Sequence, residues 1–132
     1  MRSPVWASLA AGGASLLLVG CSAGAGSCVA PEASVPSTAA PGSIVSVTIV
    51  DLWSDCNDTG QWFWQPQPQP LRQIELDLVS VSSPPATTVA TASAQVAADA
   101  TAVVEFEVPA DATGVLYVTY EERVMGTITV TD

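Results

Sequence analysis

The stretch ATTVATASAQVAADATAVVEFEVP, Ala86 to Pro109, decides how this chain folds. Its alanines, from Ala90 to Ala102, invite a helix, and helix is the competing reading. Against it, Thr and Val recur at alternate places, Asp99-Ala100-Thr101 has turn chemistry, and Val104, Phe106 and Val108 alternate strictly with Glu105 and Glu107. A period of two gathers the apolar side chains on one face of a strand, whereas a helix would scatter them around its circumference. The stretch therefore reads as two strands joined by a hairpin.

The same period extends outward in both directions. Pro41-Gly42 is a turn pair, and the β-branched run after it, to Asp51, sets Val45, Val47 and Ile49 on one face of a strand. Arg72 to Val81 alternates Ile74, Leu76 and Leu78 with Glu75, Asp77 and Val79, as a strand with one wet face does. Pro31 to Pro41 is punctuated by proline at both ends, which suits an edge strand. Beyond the corner Pro109 to Gly114, two more strands begin at Val115 and Val124. About seven strands result, at roughly 10–14-residue spacing, with no helix after the N-terminal segment. Strands that are each half apolar are covered by an antiparallel two-sheet arrangement, so the expected class is all-β.

The first 21 residues have a different character. Met1-Arg2 is a positive start, and Val5 to Val19 is an apolar run of Ala, Leu, Gly, Ser and one Trp, the composition of a signal-peptide core. It falls short of the ~20 apolar residues that a spanning helix needs. Its exit, LLLVGC (Leu16 to Cys21), resembles the lipobox of bacterial lipoproteins. That resemblance implies cleavage after Gly20, a diacylglyceryl group on the Cys21 sulfur, acylation of the new N-terminus, and an extracytoplasmic protein held to the cell membrane by lipid. Two or more acyl chains anchor stably without help from a basic patch.

With Cys21 given to lipid, Cys28 and Cys56 remain. Outside the cytoplasm such thiols oxidise, so these two are expected to pair, a crosslink worth about 3–4 kcal/mol in the chain-entropy model. Residues 1–20 are then the signal peptide, 21–27 a Gly/Ser/Ala tether with a root-mean-square span of roughly 13 Å, and 28–132 one folded domain.

Within that domain, PGSIVSVTIVDLW (Pro41 to Trp53) and EFEVPADATGVLYVTY (Glu105 to Tyr120) resemble segments of bacterial immunoglobulin-like domains, with their PG-x-x-V-x-V opening strand and VPADA-x-x-G corner. The resemblance implies an immunoglobulin-like antiparallel sandwich. Such a fold serves adhesion, presentation and spacing alike, so it implies no activity. The antibody pattern is not followed, because no core Trp lies between two inter-sheet cysteines.

Charge narrows the partners. Three Arg, no Lys and no His face 13 acidic residues, a net charge of −10. Such a surface repels phosphate backbones and anionic lipid heads, so no nucleic-acid partner is expected. Acid–base and nucleophilic chemistry usually draws on His, Lys or a thiolate beside a base, and His and Lys are absent, so no enzyme activity and no cofactor are expected. The acid pairs Glu75/Asp77 and Glu105/Glu107 read as wet strand faces rather than a glycosidase pair. DCNDTG (Asp55 to Gly60) imitates the first half of an EF-hand loop, but its twelfth position is Pro66 where a bidentate Glu is required. A weak calcium site from Asp51, Asp55 and Asp58 stays open as a minor alternative.

The remaining feature is DLWSDCNDTGQWFWQPQPQP, Asp51 to Pro70, which holds three of the four tryptophans. Gln65 to Pro70 reads as a stiff polyproline-like arm without ladder hydrogen bonds. In one reading the indoles cap the core. In the other, Trp53, Trp62 and Trp64 offer outward rings to an envelope protein or glycan, flat apolar area at small entropic cost. The expected function is a non-catalytic interaction or adhesion module. A passive envelope lipoprotein is the alternative, and a metal-dependent or catalytic protein is the remote one.

Overall fold

The computed structural model describes residues 29–54, 68–82 and 84–132. None of these residues is helical. The strands are β1 (Glu32–Ser34), β2 (Thr38–Ala39), β3 (Ile44–Val50), β4 (Trp53–Ser54), β5 (Gln69–Pro70), β6 (Gln73–Ser80), β7 (Thr87–Gln95), β8 (Ala102–Glu107), β9 (Gly114–Tyr120) and β10 (Arg123–Val130). They form a three-stranded sheet in the order β1-β3-β8, a five-stranded sheet β2-β10-β9-β6-β7, and a two-stranded piece β4-β5. All pairs are antiparallel except β2 with β10, which makes the five-stranded sheet mixed.

Alternation places the core. Val45, Val47 and Ile49 of β3 and Ala102, Val104 and Phe106 of β8 face inward from one sheet, Ile74, Leu76 and Leu78 of β6, Leu116 and Val118 of β9 and Ile128 of β10 from the other. They join in a single apolar cluster. Twelve large core side chains are fully buried, Phe106 being the largest, and each contributes about 1.5–3 kcal/mol. Among the described residues no buried side-chain polar atom lacks a partner.

Local chemistry sets the corners. Ala40-Pro41-Gly42-Ser43 is closed by Ser43 N–H donating to Ala40 O (3.2 Å), with Gly42 at φ 75°, so Pro and Gly occupy the two central positions of a type II turn. The Ala86–Pro109 stretch forms two strands and no helix, yet the two do not share a ladder. β7 pairs with β6 and β8 with β3, so the chain changes sheets between them. Only the tip is hairpin-like: Ala97 C=O accepts from Ala100 N–H (2.9 Å) and Ala97 N–H donates to Thr101 O (2.8 Å). Asp99 Oδ1 braces that tip by accepting from Thr101 Oγ1 (2.6 Å), which holds its carboxyl below the ordinary value.

The other departure is in Pro31 to Pro41. One edge strand is expected there, and two occur. β1 lies at the edge of the three-stranded sheet and β2 at the edge of the five-stranded one, the chain crossing over at Val35-Pro36. Proline cannot donate to a ladder, so the break between the sheets falls where a donor is missing.

Candidate functional site

Asp51 follows β3 with φ 61°, a left-handed conformation that Asp tolerates better than most residues, and turns the chain out of the sheet. Leu52 follows, fully buried. Its N–H donates to Ala100 O (2.9 Å), and its C=O accepts from Leu71 N–H (2.8 Å). Leu52 therefore ties three separate parts of the chain together: the end of β3, the β7–β8 tip and the chain returning from β5. Leu71 packs half-buried against the core beside it.

From this anchor rises a short stem. β4 and β5 pair antiparallel, with Trp53 opposite Pro70 and Ser54 opposite Gln69. Ser54 Oγ adds a donor to Gln69 O (3.0 Å), and Trp53 N–H returns to Asp51 O (3.1 Å). The proline arm thus ends differently from its expected ladder-free form, because Gln69-Pro70 is a strand. Proline is tolerated there since β5 is an edge strand among the described residues, paired with β4. Trp53 is 38 % exposed, so it neither sits in the core nor stands free of the protein.

Of the three tryptophans singled out in the sequence, Trp53 is the one among the described residues, at the base of the stem. Cys21, Cys28, Cys56, Trp62 and Trp64 lie outside the described residues, as do Asp55 and Asp58 of the imitation EF-hand loop. The two acid pairs lie on outward faces of different sheets. Glu75, Glu105 and Glu107 are exposed, and Asp77 is half-buried and accepts a hydrogen bond from Thr91 Oγ1. Among the described residues no three acidic side chains converge.

Sequence reasoning missed the stem and the role of Leu52. Asp-Leu-Trp reads as the tail of a strand, and only the hydrogen bonds from Ala100 and Leu71 single out the middle residue. No family model, curated protein or solved structure matches this chain.

Proposed function

We propose that this chain is a non-catalytic, lipid-anchored envelope protein of bacteria whose immunoglobulin-like domain presents the Asp51–Pro70 segment to an envelope protein or glycan. The observation that carries the reading is the stem: a loop that did no more than connect β3 to β6 would need no ladder at its neck, yet both of its ends are hydrogen-bonded to each other and fastened to the core through Leu52. Holding a segment at its base lowers the ordering cost of binding through it. Trp53, partly exposed at that base, begins the aromatic series that Trp62 and Trp64 continue in sequence.

The immunoglobulin-like assignment draws support from the strand order. A three-stranded sheet β1-β3-β8 opposes a sheet in which β10, β9 and β6 are successive neighbours, and the N-terminal strand is shared between the sheets. The expected Cys28–Cys56 bond is favoured by register. Glu32 lies opposite Val50, so the chain preceding β1 and the chain following β3 leave the three-stranded sheet at the same end.

The test is twofold. Radiolabelled palmitate should enter the protein in bacterial cells and be lost in Cys21→Ala. Immobilised full chain should retain a defined envelope glycan or protein that a Trp62→Ala/Trp64→Ala variant of equal melting temperature does not. No retention by either would leave the passive envelope role, and equal retention by both would place the binding away from Trp62 and Trp64.

A further inference from the structure

β1 is three residues long and is held lightly. Its ladder runs to β3, with Glu32 opposite Val50, Ala33 opposite Ile49 and Ser34 opposite Thr48. Of its side chains only Ala33 packs, half-buried, against the core, while Glu32 and Ser34 are exposed. On the side toward the start of β10 lies a hollow of about 250 Å³, walled by Pro31, Glu32 and Ala33 and by Arg123, Val124 and Met125. A segment with little buried apolar surface and an exposed ladder opens before the rest of a fold does.

The chain beyond it is clamped. Val35 lies so close to Gly126 that a Cβ there would meet its Cγ2 at 2.6 Å. Ser37 O accepts from Thr129 N–H and Ala39 O from Thr131 N–H, both at 2.9 Å, and Ala39 is buried. Behind β2, Gly42 N–H donates to Val108 O and Val108 N–H to Ser43 O, both at 2.8 Å. Whatever detaches β1 is therefore stopped at Val35.

The register decides how β1 responds to a pull. Ladder bonds of an antiparallel pair lie across the strands. The chain enters β1 beside the place where it leaves β3 for Asp51, since Glu32 faces Val50. Tension applied at those two exits meets the Glu32–Val50 rung alone, then the next, then the last. Tension applied from opposite ends of the pair would load all three together.

We propose that β1 is a strap that peels from β3 when tension runs between the N-terminus and the Asp51–Pro70 segment, and that a bond between Cys28 and Cys56 takes it out of that tension. The proposal rests on the reading of an N-terminal lipid anchor and a ligand held by Asp51–Pro70, the two points from which such a protein is pulled. Cys28 precedes β1 in sequence and Cys56 follows β3. Joined, the two pass the load from one to the other, and the strands between them carry none. Unjoined, they leave it to three rungs, which yield and let out three residues, about 10 Å of extended chain. The core survives the step, because β1 contributes only Ala33 to it.

An optical trap tests this on the full chain, with DNA handles on azide side chains at Ser27→p-azidophenylalanine and Gln61→p-azidophenylalanine and with Cys21→Ala to leave two sulfurs. Unreduced, this parent should show no step at any force. In Cys28→Ser/Cys56→Ser a reversible step of about 10 Å is expected ahead of the unfolding of the rest. Dithiothreitol added to the parent gives the same comparison if the serine variant folds poorly. Glu32→Cys/Val50→Cys, bridging the first rung in the serine background, should abolish the step. A step in the unreduced parent, no step in the serine variant and the reduced parent, or a step that survives the bridge overturns the proposal. Palmitate labelling and ligand retention are read separately, so a failure of the anchored reading is distinguishable from a failure of the strap.

Discussion

Gly126 lies against Val35 so closely that a Cβ at position 126 would meet Val35 Cγ2 at 2.6 Å and Val35 Cβ at 2.8 Å. This is where the chain crosses from β1 to β2 over the β10 bulge between Val124 and Gly126. The valine is stiff at χ1 and partly buried against the core, so it cannot swing aside. Gly126→Ala is expected to lower stability by about 1–3 kcal/mol in urea unfolding. Pairing it with Val35→Ala should cost less than the sum of the two single changes. Additive losses would mean that the contact is not the cause.

Glu121 and Glu122 connect β9 to β10 with φ of 47° and 66°, both left-handed. Tyr120 pairs with Arg123, so the loop has two residues and the primed geometry that favours Asn-Gly. Two glutamates there are strained. Glu121→Asn/Glu122→Gly is expected to stabilise by about 1–2 kcal/mol, raising the melting midpoint by about 4–8 °C for each kcal/mol. An unchanged midpoint would contradict the strain.

Tyr120 borders that turn, and its phenol is pushed above the ordinary 10.0, first by burial, then by the charge and the hydrogen bond of Glu121. A folded state that holds its proton more tightly than the unfolded chain is favoured only while the unfolded tyrosine is protonated. That contribution is complete below pH 10 and is lost as the pH climbs through the folded value. Unfolding midpoints followed into the alkaline range should therefore fall above pH 10, and less steeply in Tyr120→Phe. Glu121→Gln should lower the phenol's titration midpoint without restoring 10.0, since burial remains.

Leu52 is predicted to matter more than its place outside the strands, between β3 and β4, suggests. Leu52→Ala should cost about 2–4 kcal/mol, because a side chain with no exposure is cut back in a packed cluster. Hydrogen exchange should speed at Leu71, whose amide bonds to Leu52 O. A loss below 1 kcal/mol (about the cost of a surface change) would mean that the stem is not fastened to the core there.

The two-residue period by itself determined the all-β class and the inward set Val45, Val47, Ile49, Ile74, Leu76, Leu78, Val104 and Phe106. That is because the side chains of a strand alternate by geometry alone. Pro41-Gly42 likewise fixed its own turn, since proline presets one dihedral and glycine permits the other.

What only the tertiary structure decided are pairings between distant segments. Nothing local in Val35 or Gly126 announces their contact, and Ala97 to Thr101 does not say that its flanking strands join different sheets. Leu52 looks like any other apolar residue until Ala100 and Leu71 are brought to it. The same holds for the place of β7 at the end of its sheet, because whether a strand is central or terminal depends on which partners the rest of the chain supplies.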